Sequence, residues 1–165
     1  INSMHLLYDD RAILDYNTDF KINPPLRSES DKKRLRKAVL EGLVDVIYSQ
    51  HTPKVVEEKF LEFDLAAFGI VHLQTTFLAT IKALGIDTIE TIVQCMSQNP
   101  ASYLELDMPT INENVSGSFT IFDLEQKTVY NQSIHASKSA NTPFFDMELE
   151  GKVLGIVTKG TSHFF

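Results

Sequence analysis

The sequence predicts an α/β fold that gives way, past residue 108, to a small β module. Two patterns carry this expectation. Up to residue 108, helical periodicities follow and precede a β-prone run, the helix-and-strand order of α/β domains. Beyond it, short segments of alternating apolar and polar residues are separated by polar, Pro-containing turns. Hydrophobic residues at 43% and charged residues at 22% supply enough apolar surface for a core. The chain therefore divides into residues 1–108 and 109–165.

Residues 4–8 (MHLLY) read as the end of a strand, which would put His5 on a strand edge. Residues 9–30 mix Asp, Asn and Pro and read as loop, with a helical turn near residues 10–15. Pro24 and Pro25 cannot continue a helix or a central strand, so Asn23 sits in a forced extended turn. Residues 28–42 form a well-marked helix: Ser28 or Ser30 caps it, Asp31 suits its positive end, Leu35, Ala38 and Val39 share a face, and Gly42 stops it. Its five basic residues (Lys32, Lys33, Arg34, Arg36, Lys37) read as a solvated face among acidic neighbours. A strand follows, VDVIYSQHTPK (44–54), whose β-prone residues run into a polar cluster. Strand ends of that kind present chemistry at the carboxyl edge of α/β sheets.

Two helices come next, over residues 69–84 and 87–99. In the second, Asp87 and Glu90 make a capping pair. Ile89, Ile92, Val93 and Met96 form a stripe, and Asn99-Pro100 ends the run. Cys95 reads there as a packed thiol. The β module comprises strands at 117–124, 127–131 and 151–160, with 135–146 as loop.

Charge and cysteine content bound the partners. A net charge of −7 argues against nucleic acid and anionic membranes. A single cysteine excludes an internal disulfide and a multi-cysteine zinc site, and fits a cytoplasmic setting. The longest apolar run, 65–86, carries His72, Gln74 and Lys82 and reads as a buried helix, not a membrane span. No basic-then-apolar leader opens the sequence, and the first residue is Ile, which suggests a piece of something longer.

The stretch DFKINPPLRSESDKKRLRKAVLEGLVDVIYSQHTPK resembles the part of type I dihydroorotases, in the amidohydrolase superfamily, that covers their last barrel strand. The likeness continues through LAAFGIVHLQTTF, QNPASYLEL, GSFTIFDLEQ and SKSANTPFFDMELEGKVLGIVTKG. It implies the C-terminal portion of a metal-dependent (β/α)8 barrel followed by strands of a small β-sandwich. It also implies hydrolysis or formation of a cyclic amide, dihydroorotate, in pyrimidine biosynthesis. The metal-binding histidines of earlier strands would lie outside this sequence.

Carried over residue by residue, the resemblance implies that Asn23 contacts substrate and that the Phe68-Gly69 backbone approaches it. The family signature Asp-His-Ala-Pro-His reads Gln50-His51-Thr52-Pro53-Lys54 here. The resemblance makes the Asp both a metal ligand and the general base. Gln50 can neither supply the anion that holds zinc nor accept a proton near neutral pH. Lys54 stands where the family has a second substrate-contacting His, and His72 stands where a Gly is usual. Zinc is thus expected of the family, but not of this chain.

The residues themselves agree. Of five histidines, only His51 lies at a strand end, and none pairs at i, i+4 spacing. A His51–His72 pair across the connection is the one alternative metal arrangement. No nucleophile elbow exists for a Ser–His–acid triad. Two functions compete: part of a dihydroorotase, with Asn23 and Phe68-Gly69 completing a substrate pocket, or an inactive scaffold of the kind that partners aspartate transcarbamoylase. Either way, part of a closed barrel leaves strand edges uncovered. The chain is therefore expected to pack against the missing N-terminal part of the same protein or against itself.

Overall fold

The computed structural model describes residues 1–108, 110–114, 117–158 and 160–165. Pro109, the first residue of the predicted second part, and Lys159, inside the predicted strand 151–160, lie outside the described residues.

The start of the chain corrects the first expectation. Residues 4–7 form helix α1 (Met4–Leu7), not a strand end. Asn2 turns the chain into it: its Oδ1 accepts the Met4 N–H at 2.8 Å. His5 is accordingly buried in a helix, its Nε2 within reach of the Pro24 and Pro25 carbonyls. The strand expected in residues 44–54 is not part of a ladder: among the described residues it is held by single parallel bridges, Asn2 with Tyr48 and His51 with Ile70. The Ile47 N–H goes instead to the Cys95 carbonyl at 3.0 Å, so no ladder propagates.

Two 3₁₀ turns, Asp10–Ile13 and Thr18–Phe20, are capped by the Asp9 and Asn17 side chains. Helix α2 (Glu29–Leu40) begins where its capping residue requires, with Ser28 accepting the Asp31 N–H. Gly42, at φ +72°, closes it. Its basic face is only partly solvated. Lys32 is mostly buried and pairs with Asp9 at 2.5 Å, and Arg36 donates to the Leu6 carbonyl at 2.6 Å. Together with Arg11, Lys32 holds the Asp9 carboxyl well below the usual carboxylate range.

After the single turn α3 (Val56–Lys59), the next helix starts later than its apolar pattern suggests. Residues 69–75 are not helical. Ile70 is committed to its bridge with His51, and the Val71 N–H goes to the Asn141 carbonyl. Helix α4 (Thr76–Leu84) begins only after His72, whose carbonyl receives the Thr76 N–H and hydroxyl. The predicted helix at 87–99 is broken into α5 (Ile89–Val93), a π-turn over Gln94–Gln98, and α6 (Asn99–Tyr103). Pro100 lies inside this run instead of ending it. The π-turn just before it relieves the ladder where proline lacks an N–H. The Asp87 cap is not formed; the Thr88 hydroxyl bonds Gly85 O instead. Cys95 is a buried thiol donating to Val44 O, and burial raises its pKa.

The sheet is antiparallel in the order β1 (Phe119–Tyr130), β2 (Met147–Thr158), β3 (Thr161–Phe164). The two strands expected at 117–131 are one strand with a register shift between Asp123 and Lys127. Asp123 stabilises that bulge by accepting the Glu125 N–H and the Gln126 amide. Helix α4 packs across β2 so closely that a Cβ on Gly151, at φ +91°, would meet Leu78 Cδ2 at 3.2 Å. Leu78, Ile81, Ile92, Phe144 and Leu149 form the centre of the core, joined from the N-terminal side by Met4, Ile22 and Ile70. Each such side chain contributes about 1.5–3 kcal/mol on burial. This core fixes the loops that carry residues 23, 50 and 68. No helix among the described residues is long and apolar enough to cross a membrane.

Candidate functional site: a cleft built around Gln50

Asn23, Gln50, Phe68 and Gly69 lie far apart in sequence, and the fold brings them to one cleft. It has a volume of about 200 Å³ and is completed by Ile22, Thr52 and Ile70. Three segments meet there: the turn before Pro24-Pro25, the end of the extended run 44–51, and the bend before Ile70.

Gln50 ties these segments together. It sits at φ +50°, a left-handed conformation that L side chains rarely adopt. Its amide is engaged at both ends. Asn2 Nδ2 donates to Gln50 Oε1, and Gln50 Nε2 donates to the Asn23 carbonyl. Asn2 is itself buried, and its Oδ1 is occupied by the Met4 N–H, which leaves only its NH2 to face Gln50. The relay therefore has one direction: Met4 N–H, Asn2 amide, Gln50 amide, Asn23 carbonyl. A carboxylate at position 50 could accept from Asn2 but could not donate to Asn23.

Gly69 is glycine for two reasons visible here. Its φ of +145° is unfavourable for other residues, and a Cβ would lie 2.6 Å from the Thr52 carbonyl oxygen. Its N–H donates to the Lys21 carbonyl at 3.1 Å and its carbonyl accepts from Lys59 at 3.2 Å. Lys21 and Lys59, both almost fully buried, are the residues that sequence reasoning missed. The Lys21 ammonium donates to Phe63 O and Asp64 O and lies 4.8 Å from the Phe68 ring centre, steadying that ring at the cleft. Lys59 donates to the carbonyls of Thr18, Ala67 and Gly69, and burial lowers its pKa.

Lys54 is placed differently from the other predicted site residues. Its stem lies against Gly69, with Cγ 3.1 Å from where a Cβ would be. Its ammonium is paired loosely with Glu58 at 3.4 Å and lines a separate, larger cavity.

The histidines do not form a metal pair. His51 Nδ1 accepts from the backbone N–H groups of His72 and Leu73, both at 3.1 Å, so the neutral ring carries its proton on Nε2. His72 is fully buried and stacked on Phe144 at 4.8 Å. Its Nε2 meets the Ser3 hydroxyl at 2.6 Å and its Nδ1 meets Thr75 at 2.7 Å. Because Thr75 donates to the His72 carbonyl, Nδ1 is the donor and Nε2 the acceptor. Burial pushes this imidazole down to about 3, keeping it neutral. Among the described residues, no three His, Cys, Asp or Glu side chains are placed to hold a metal ion. With Gln50 committed to Asn2 and Asn23, these residues do not fit zinc.

No protein-family model matches the chain. It is 40% identical over 153 residues to a dihydroorotase of Desulforapulum autotrophicum, covering 92% of this chain and 36% of that protein. It is 37% identical over 152 residues to a dihydroorotase of Elusimicrobium minutum, covering 90% and 35%. The chain thus spans little more than a third of the length of these curated relatives. Among solved structures, a D-hydantoinase (dihydropyrimidinase) from Thermus sp. superposes with a TM-score of 0.85 at 19% identity, over 99% of this chain and 39% of that one. At that identity the likeness is one of fold. The helices and the three-stranded sheet of this chain thus share the fold of part of that longer chain.

Proposed function

Starting from a chain that is a dihydroorotase-like C-terminal part, we propose that it belongs to a cyclic amidohydrolase whose residue 50 no longer serves hydrolysis. The observation that carries this reading is the two-sided engagement of the Gln50 amide. Hydrolysis of a cyclic amide in this family needs an anion to hold zinc and a base to take a proton from water. Gln50 offers neither, and its oxygen and nitrogen are both spent on Asn2 and Asn23.

On this reading the cleft retains binding. The relay fixes the Asn23 backbone carbonyl at the cleft that a dihydroorotate- or carbamoyl-aspartate-like ligand would enter. Phe68 supplies an apolar wall, and the constriction at Gly69 keeps the backbone close. Zinc, where the whole protein holds it, would be bound by residues outside this segment.

A second reading makes the protein a structural partner of aspartate transcarbamoylase or of its own N-terminal part. The large exposed apolar side chains favour it: Phe60 and Ile111 are each 89% exposed. One experiment tests the primary reading. Metal content and dihydroorotate hydrolysis are measured on the full-length protein and on Gln50→Asp. The expected outcome is background turnover in both, because the substitution removes the donor to Asn23 while adding the carboxylate. Full turnover by the unaltered protein, with stoichiometric zinc, would overturn it.

A further inference from the structure

One wall of the Gln50 cleft is better anchored than the other. The Asn23 turn is flanked by Ile22 and Leu26, both part of the core. Phe68 instead ends a nine-residue loop, residues 60–68, in which only Ala66 is buried. Phe60, Leu61, Leu65 and Phe68 are all exposed. The root of this loop is firm: Lys59 donates to the Ala67 and Gly69 carbonyls, and the Ala67 N–H bonds the Glu58 carbonyl. Its tip is not. Among the described residues, two hydrogen bonds tie residues 61–66 to the rest of the fold, and both come from the Lys21 ammonium, to Phe63 O at 2.6 Å and Asp64 O at 2.9 Å. The exposed Tyr16 ring adds only an edge contact to Phe63 at 6.0 Å.

We infer that residues 60–68 form a flap that opens to admit a ligand to the cleft, and that Lys21 is the positioning residue that latches it shut with the Phe68 ring against the ligand. The inference rests on the reading that this cleft retains binding, and adds how the cleft closes.

Lys21 suits that task in three respects. Its ammonium lies 4.8 Å from the Phe68 ring centre and 5.4 Å from that of Phe63, so it holds the cleft wall as well as the tip. Its own carbonyl accepts the Gly69 N–H at 3.1 Å, and Asn23 follows two residues on, so one residue joins both walls. It is 8% exposed, yet no carboxylate pairs with it among the described residues. The flap's carbonyls and rings stand in for a counter-ion, and opening the flap returns the ammonium to water instead of breaking an ion pair. The latch is therefore reversible, and the scarcity of buried apolar groups makes local opening easy.

The test compares the full-length parent with Lys21→Gln, which keeps a donor but loses the charge, and with Lys21→Arg, which keeps both. Amide hydrogen exchange is followed at Leu65 and Ala66, whose N–H groups bond the Glu62 carbonyl, without ligand and with dihydroorotate. Lys21→Gln should speed that exchange about tenfold, leave the β1–β2 pairing unchanged and release dihydroorotate about tenfold faster. Lys21→Arg should stay within about threefold of the parent, in which dihydroorotate should slow exchange at both amides. Phe68→Leu, at a half-exposed position, removes only the ring from the latch and should speed exchange about threefold, which keeps the inference open to refutation should Lys21→Gln not fold. Exchange that ignores both substitutions, or that rises equally throughout the sheet, overturns the inference. If the parent does not bind dihydroorotate, the reading of the cleft fails, while the ligand-free exchange still decides the latch.

Discussion

Taking the protein from pH 7 to pH 5 should weaken its fold by about 2 kcal/mol through His72 alone. The folded imidazole is neutral down to about pH 3, because it is fully buried, stacked on Phe144 and bonded to Ser3 and Thr75. Once unfolded, it titrates near the ordinary histidine value of about 6.5. Between those two values unfolding takes up one proton, so stability is fully present above about pH 6.5 and falls as the pH falls, at up to about 1.4 kcal/mol per pH unit. The assay is urea unfolding at constant ionic strength from pH 8 to pH 5, on the parent and on His72→Gln. Glutamine is planar enough to lie on Phe144 and can accept from Ser3 while donating to Thr75, but it does not titrate. The variant should show a shallower pH dependence than the parent, and the difference between the two curves isolates His72 from the carboxylates. Equal slopes would refute the assignment of a neutral, buried His72.

Three further outcomes follow from the same geometry. Gly69→Ala places a Cβ 2.6 Å from the Thr52 carbonyl at a φ of +145°; thermal unfolding should show a loss of about 2–3 kcal/mol, and Thr52 should shift in amide spectra. Lys59→Met strips the Thr18, Ala67 and Gly69 carbonyls of their shared donor; about 3 kcal/mol or more should be lost, with Lys59→Arg less damaging. Gln50→Glu sets a carboxylate oxygen against the Asn23 carbonyl; the Asn23 turn should loosen in hydrogen exchange, whereas Gln50→Ala should loosen it without adding any pH dependence.

The sequence spoke most clearly where one residue decides one local event. Ser28 and Gly42 bracket α2 because a cap and a positive-φ stop are local requirements. It was misleading where the deciding partner is distant. Residues 69–75 carry helical periodicity, yet Ile70 and Val71 are committed to His51 and Asn141. Residues 44–48 are β-prone, yet their pairing depends on Ile1–Ser3, which cannot be seen from composition. Glu125 and Gln126 separate two expected strands, yet they bond Asp123 in a bulge within one strand. At the site, the resemblance named Asn23, Gln50, Phe68, Gly69 and Lys54; the fold gathers the first four into one cleft and sets Lys54 on a separate cavity. Nothing in the sequence pointed to Asn2, whose buried amide sets the direction of the Gln50 relay, or to the lysines that clamp the surrounding carbonyls.

The most direct measurement combines metal analysis with turnover: zinc per chain and dihydroorotate hydrolysis by the full-length protein, with residue 50 as glutamine. The account predicts no zinc ligated through residue 50 and turnover at background. A divalent ion coordinated by residue 50 together with sustained hydrolysis would contradict it.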